Sequence, residues 1–198
     1  MRWLFLGVAL VCVAEKENPA AVRQLLLMRH AKSSWDDARL PDRDRPLSDR
    51  GRRAAVAMRA AMRDLGLAPD VVLVSTAART LATLAALEPW DDTPLTEAME
   101  ALYLADTAKL LTVLHGVPKT ARSVLLVGHN PGLHELAITL VGPAAMTQAN
   151  EMTRHLAARY PTGTLAEFAV AGPWRSLGEG GGRLLRFLMP RDLPELAA

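Results

Sequence analysis

Three short apolar runs in this chain, 25–28, 71–74 and 124–127, each end in residues suited to holding an anion. The first leads into Arg29 and His30, the second into Ser75, Thr76 and then Arg79, and the third passes through Gly128 to His129. Arg presents a planar fork that matches the oxygens of a phosphate, and helix N-termini near Ala77 and Pro131 would add backbone N–H donors and a positive dipole end. Lys32 and Ser33 lie close enough in sequence to join the rim. A single histidine after a strand is more often a structural hydrogen-bonding residue, and an arginine in the first turn of a helix is usually on the surface. The same placement after three strands is what separates this chain from those cases.

To converge, these residues need a parallel sheet whose strands end side by side, because ligands of open α/β sheets bind outside the carboxyl ends of the strands. The runs are continuously apolar rather than alternating, the pattern of strands covered on both faces. Between the first two, Ser48 caps a helix whose apolar residues Ala54, Ala55, Met58, Ala61, Met62 and Leu65 follow helical spacing, with Gly66 just past its end. Further helices are predicted over 77–87 and 106–115, and a fourth from Asn130 as N-cap with Pro131 in the first turn. Segments 164–170 and 183–188 read as strands joined by a Gly-rich turn. The predicted fold is a single-domain α/β three-layer sandwich over 24–198, with a mostly parallel central sheet and helices on both faces.

Composition narrows the function. The 198 residues are 50% hydrophobic and 22% charged, as in an ordinary globular protein. Net charge is only +2, and no basic tract suggests a nucleic-acid partner. Cys12 is the lone cysteine, which rules out a disulfide framework and every multi-cysteine metal site. Residues 1–23 form an N-terminal extension that begins with Arg2 and an apolar stretch over 3–14, like a short signal segment. That stretch is shorter than the roughly 20 residues a membrane-spanning helix needs. The expected location is cytoplasmic, with export through the N-terminal segment as the alternative.

Several motifs together resemble the histidine phosphatase superfamily. Leu27-Met28-Arg29-His30-Ala31-Lys32-Ser33-Ser34-Trp35-Asp36 is similar to the family's opening Arg-His-Gly-Glu-Ser-x-Trp-Asn. Arg45-Pro46-Leu47-Ser48-Asp49-Arg50-Gly51 resembles its Pro-Leu-Ser/Thr-x-x-Gly helix start, and the block from Ser75 through Arg79 its Ser-x-x-x-Arg-x-x-x-Thr. Val127-Gly128-His129-Asn130-Pro131-Gly132 is similar to the second-histidine motif of the short SixA-type phosphohistidine phosphatases, and Met189-Pro190-Arg191-Asp192-Leu193 also looks like that branch.

The resemblance implies that His30 takes the phosphoryl group, that Arg29, Arg79 and His129 bind its oxygens, and that no metal or other cofactor takes part. Imidazole, with a reference pKa near 6.5, suits the role as both nucleophile and leaving group. It implies a phosphohistidine phosphatase acting through a phospho-His30 intermediate on a phosphorylated protein. The alternatives are a phosphatase or mutase for a small phosphorylated metabolite, and a phospho-binding module without turnover. Ala31, Lys32 and Asp36 depart from the commoner Gly, acidic residue and Asn, and Lys32 near the mouth would favour an acidic partner or a more highly charged phosphate. Glu100 lies nearest the family's general-acid position, although the Gly-rich segment that usually follows is missing. An imidazole leaving group has little need of such an acid, because it departs more readily than an alkoxide. His134-Glu135 lacks the second histidine of a zinc-protease helix, since Ile138 stands there, and Gly178-Glu179-Gly180-Gly181-Gly182 lacks the Lys-Ser/Thr of a phosphate loop. His115 and His155 read as local structural residues.

Overall fold

In the computed structural model, residues 22–148 and 150–196 are described. The signal-like stretch therefore lies outside the described residues. The first strand begins at Arg23, one residue before the expected start of the domain. Six strands form one sheet: β1 (Arg23–Arg29), β2 (Val71–Ser75), β3 (Leu95–Met99), β4 (Ser123–Gly128), β5 (Leu165–Val170) and β6 (Gly182–Leu188). Five helices accompany them: α1 (Asp49–Asp64), α2 (Ala78–Leu87), α3 (Thr107–His115), α4 (Gly132–Thr147) and α5 (Glu151–Ala158).

The strand order is β3-β2-β4-β1-β5-β6. The first four run parallel, and β5 and β6 are antiparallel additions at one edge. The three apolar runs thus become the adjacent strands β2, β4 and β1, in a register that pairs Val127 with Val74 on one side and Met28 on the other. Their carboxyl ends lie level. The side chains of each run divide between the two faces: Leu25, Leu27, Leu73 and Leu126 meet α3 and α4, whereas Leu26, Met28, Val72 and Val127 meet Met58 and Met62 of α1 and Leu84 and Leu87 of α2. Burial on both faces accounts for runs without alternation, and it makes the three layers expected from the sequence.

One close approach sets the position of the loop after β1. The Ser48 side chain caps α1 by accepting from Gly51 N–H, and both Ser48 N–H and its hydroxyl donate to Lys32 O at 2.9 and 3.0 Å. A Cβ on Gly51 would lie 2.1 Å from that same oxygen. Only glycine lets the helix start sit against the Lys32 backbone, a physical reason for the glycine in this segment.

Three elements differ from expectation. Strand β3, Leu95-Thr96-Glu97-Ala98-Met99, was not indicated, because as an edge strand it is largely exposed and carries no apolar run. Helix α5 was not indicated either. Helix α4 begins at Gly132 with Pro131 as N-cap rather than at an Asn130 cap, and the Asn130 amide instead donates to Tyr160 O at 3.0 Å. Gly142 (φ 75°) and Pro143 then break α4 into two pieces, since glycine alone tolerates that backbone and proline cannot supply the helical N–H.

Candidate active site

The level ends of β1, β2 and β4 bring Arg29, His30, Arg79 and His129 into one cleft of about 360 Å³, with Lys32 and Ser33 on its rim. Arg29 closes β1, and His30 N–H donates to Gly128 O at 3.1 Å, which ties the histidine to β4. Ala31 N–H donates to Thr83 Oγ1 at 3.0 Å, and that hydroxyl donates to Arg79 O at 2.6 Å. The loop after β1 and the first turns of α2 are therefore locked together, so the spacing of His30 and Arg79 is fixed before any ligand arrives.

The hydrogen bonds define the ring tautomers. His30 Nδ1 lies 2.8 Å from Ala31 O, a carbonyl that can only accept, so Nδ1 carries the proton and Nε2 keeps its lone pair. Nε2 faces the Arg79 guanidinium, whose Nε–H reaches it at 3.3 Å. His129 Nδ1 accepts from Arg79 Nη2 at 3.3 Å, which leaves Nε2–H to donate to Ser75 Oγ at 2.8 Å. The two imidazole rings are 5.1 Å apart, centre to centre. Burial, countered in part by the Ala31 hydrogen bond and aided by the charges of Arg79 and Arg29, lowers the His30 pKa to about 4. Burial, His30 and Arg79 lower that of His129 to about 3. Both rings are neutral at pH 7, and His30 offers an unprotonated nitrogen flanked by guanidiniums.

Arg29 donates to Tyr160 O at 2.7 Å, while its Nε is buried without a hydrogen-bond partner. Such an orphaned donor is costly to bury. Arg79 is engaged further by Asp42: Nη1 donates to its backbone oxygen at 2.5 Å and Nη2 to its carboxylate at 2.8 Å. Tyr103 O–H donates to the same carboxylate at 2.9 Å, and the Tyr103 ring stands edge-on to His129. Sequence reasoning missed Asp42 and Tyr103. Neither follows one of the three apolar runs or carries a motif signal, and the contact between them spans 61 residues. Trp35 lines the mouth, where the Arg45 guanidinium lies 3.5 Å over its ring.

Glu100 is the sequence-indicated residue that is not brought into this cluster. It opens a short turn after β3, does not line the cleft, and accepts from Thr76 Oγ1 at 2.6 Å and Arg43 Nη1 at 2.8 Å. The Thr76 hydroxyl, and with it Arg43, holds its pKa below the ordinary carboxylate value. Among the described residues, no three His, Cys, Asp or Glu side chains gather to hold a metal ion. What the cluster can do is bind a phosphoryl dianion between Arg29 and Arg79 and present His30 Nε2 to its phosphorus.

Known proteins are similar to this chain in sequence and fold. Residues 25–102 match the model of the histidine phosphatase superfamily (branch 1). An uncharacterized protein of Mycobacterium tuberculosis (strain H37Rv), Rv1276c, is 35% identical over 164 residues, covering 83% of this chain and 100% of its own. A solved structure from Nakamurella multipartitia, proposed to be the phosphohistidine phosphatase SixA, superposes with a TM-score of 0.76 at 33% identity, covering 87% of this chain and 99% of that one. A second such protein, from Agrobacterium tumefaciens, gives 0.71 at 27% identity, covering 85% and 98%.

Proposed function

This chain belongs to the histidine phosphatase superfamily, and from that premise we propose that it removes the phosphoryl group from phosphohistidine on a protein, without a metal and through a phospho-His30 intermediate. The observation that carries the reading is the tautomer of His30: Nδ1–H held by Ala31 O, Nε2 unprotonated and facing Arg79. In the first step the Nε2 lone pair attacks phosphorus. The P–N bond of the substrate breaks, and its electron pair leaves with the substrate imidazole, which departs neutral when its other nitrogen already carries a proton. Water then attacks phospho-His30, the P–Nε2 bond breaks, and the pair returns to Nε2 as phosphate and a proton are released. Arg29 and Arg79 hold the oxygens throughout, and His129 joins them as a donor once the dianion beside it raises its affinity for a proton. The leaving imidazole needs no strong acid, which agrees with the position of Glu100 outside the cleft.

The similarity to SixA-type proteins supports this substrate. The test compares turnover of a phosphohistidine protein, a phosphoserine peptide and a sugar phosphate by the wild type and by His30→Ala. The expected result is turnover confined largely to phosphohistidine and abolished in the variant, with tungstate still binding to the variant because the guanidiniums remain. Normal turnover by His30→Ala would remove the mechanism. Preference for the sugar phosphate would move the substrate to a small metabolite.

A further inference from the structure

Beside the catalytic cleft lies a second pocket, of about 290 Å³, whose lining includes Lys32, Arg50, Ala54, Met189, Pro190 and Arg191. Lys32 and Thr162 line both this pocket and the cleft, so the two are contiguous. We propose that this pocket is a recognition subsite for an acidic side chain of the phosphorylated protein, an inference that rests on the phosphatase reading above.

Its three cations come from three separate segments: Lys32 from the loop after β1, Arg50 from the first turn of α1, and Arg191 from a short turn, Pro190–Asp192, after β6. These segments are built, not loosely apposed. The Lys32 backbone is clamped on α1 by Ser48 and Gly51. Met189 is buried, and Pro190 packs so closely on the Gly163 backbone that a Cβ there would lie 2.9 Å from its ring.

The charges are not neutralised from within. Among the described residues, neither Lys32 nor Arg50 forms an ion pair, and the nearest acid in sequence, Asp49, is turned to Arg52 at 2.6 Å. Arg191 meets only its neighbour Asp192, at 3.3 Å, with both side chains about half exposed, a pairing of little strength in water. Arg50 also stands at a helix N-terminus, where a positive charge opposes the helix dipole. Like charges gathered against a dipole do not favour the fold, whereas they do favour an incoming carboxylate. The walls specify the rest of the ligand. Ala54, Met189 and Pro190 are apolar and suit the methylene stem of Glu or Asp, while a fully hydrated phosphate would gain nothing from them. An acidic residue near the phosphohistidine would then be held while its neighbour occupies the cleft, and the attraction would also hasten encounter.

The test uses Arg50→Glu, Arg191→Glu and the double variant of the full chain. Both arginines are exposed and outside the cleft, and thermal unfolding verifies that each variant folds. Arg50→Gln with Arg191→Gln provides a milder pair. Substrates are a phosphohistidine protein bearing acidic residues, free phosphohistidine, and a small bis-phosphorylated metabolite. The expected result is a roughly tenfold fall in kcat/KM on the protein for the double Glu variant, carried by KM and weakened by added salt, with free phosphohistidine changed less than twofold. The Gln pair should show a smaller fall in the same direction. An equal loss on the protein and on free phosphohistidine, no loss on either, or a loss confined to the bis-phosphate would each overturn the subsite. Should the wild type turn over no phosphohistidine substrate at all, the functional reading itself falls; wild-type turnover with indifferent variants sinks the subsite alone.

Discussion

At the floor of the crevice, the Arg79 side chain is 5% exposed and its guanidinium is shared among His30, His129 and Asp42; at the outer edge of the mouth, beyond the residues that line the cleft, Arg43 is 44% exposed and pairs with Glu100, itself 60% exposed. The two sites use the same ion-pair chemistry, yet they differ in consequence. A guanidinium removed from water interacts strongly with every dipole around it and cannot reorient without leaving a buried donor unpaired. An exposed pair gives up little when broken, because water replaces the partner. The floor is thus held in one arrangement, and the mouth tolerates change. Asp42 links the two: its half-exposed carboxylate reaches down to Arg79.

The sharpest way to test this contrast is Arg79→Lys. Lysine keeps the charge but cannot reproduce the fork that reaches His30 and His129 while engaging Asp42. Losing two charge-assisted hydrogen bonds, at roughly 1.5–3 kcal/mol each, should lower turnover a hundredfold or more. The matching change at the mouth, Arg43→Lys, should stay within a few-fold. Steady-state kinetics on the same phosphohistidine substrate compares the two, and a wild-type rate for Arg79→Lys would mean that the floor is no more preorganised than the mouth.

Acid should also separate the two regions. An imidazole in the unfolded chain titrates near pH 6.5, whereas burial holds His30 to about 4 and His129 to about 3. Between those values the unfolded chain binds protons that the native one does not. Stability is therefore greatest above pH 6.5 and is lost as pH falls towards 4, by an amount on the order of 2–3 kcal/mol for His30. Denaturant unfolding at pH 7 and pH 4.5 should show this loss, and the His30→Gln, His129→Gln double variant should show a smaller one. Equal pH dependence in the two proteins would mean that the floor is as hydrated as the mouth.

The same contrast explains which parts of the molecule could be read from its sequence. The floor was legible because a strand buried on both faces must be an uninterrupted apolar run, and because Arg29, His30, Arg79 and His129 each follow such a run at short range. The helix start at Ser48 and Gly51 was legible as well, since capping chemistry is local. Strand β3 carries only partial burial and left no periodic trace. Asp42 and Tyr103 act through a contact between distant loops, which neither spacing nor periodicity encodes. Asn130 had the right residue type for a cap, but its amide N–H is turned to the Tyr160 carbonyl, its Oδ1 accepts from no helix N–H, and α4 began later.

The smallest effect is expected at Glu100, where sequence position and observed surroundings point in different directions. As a general acid, Glu100 would have to be protonated at working pH and lie within reach of the leaving group. Its carboxylate instead accepts from Thr76 and Arg43, contacts that favour the ionised form, and it stands outside the lining of the cleft. Glu100→Gln keeps the shape and removes the charge. Turnover of phosphohistidine should then change by no more than two- to threefold, because the departing imidazole already holds its proton and the only loss is an exposed pair. Slow hydrolysis of an alkyl phosphate, whose alkoxide must be protonated as it leaves, is the stricter measurement. Here too the expected change is small, since a carboxylate held in its ionised form has no proton to give. A fall of 10²–10⁴-fold on the alkyl phosphate alone, the usual cost of removing a general acid, would show that Glu100 leaves Arg43 and enters the cleft during the reaction. The mouth would then share the chemistry of the floor, and the division between a fixed floor and a tolerant rim would fail at this residue first.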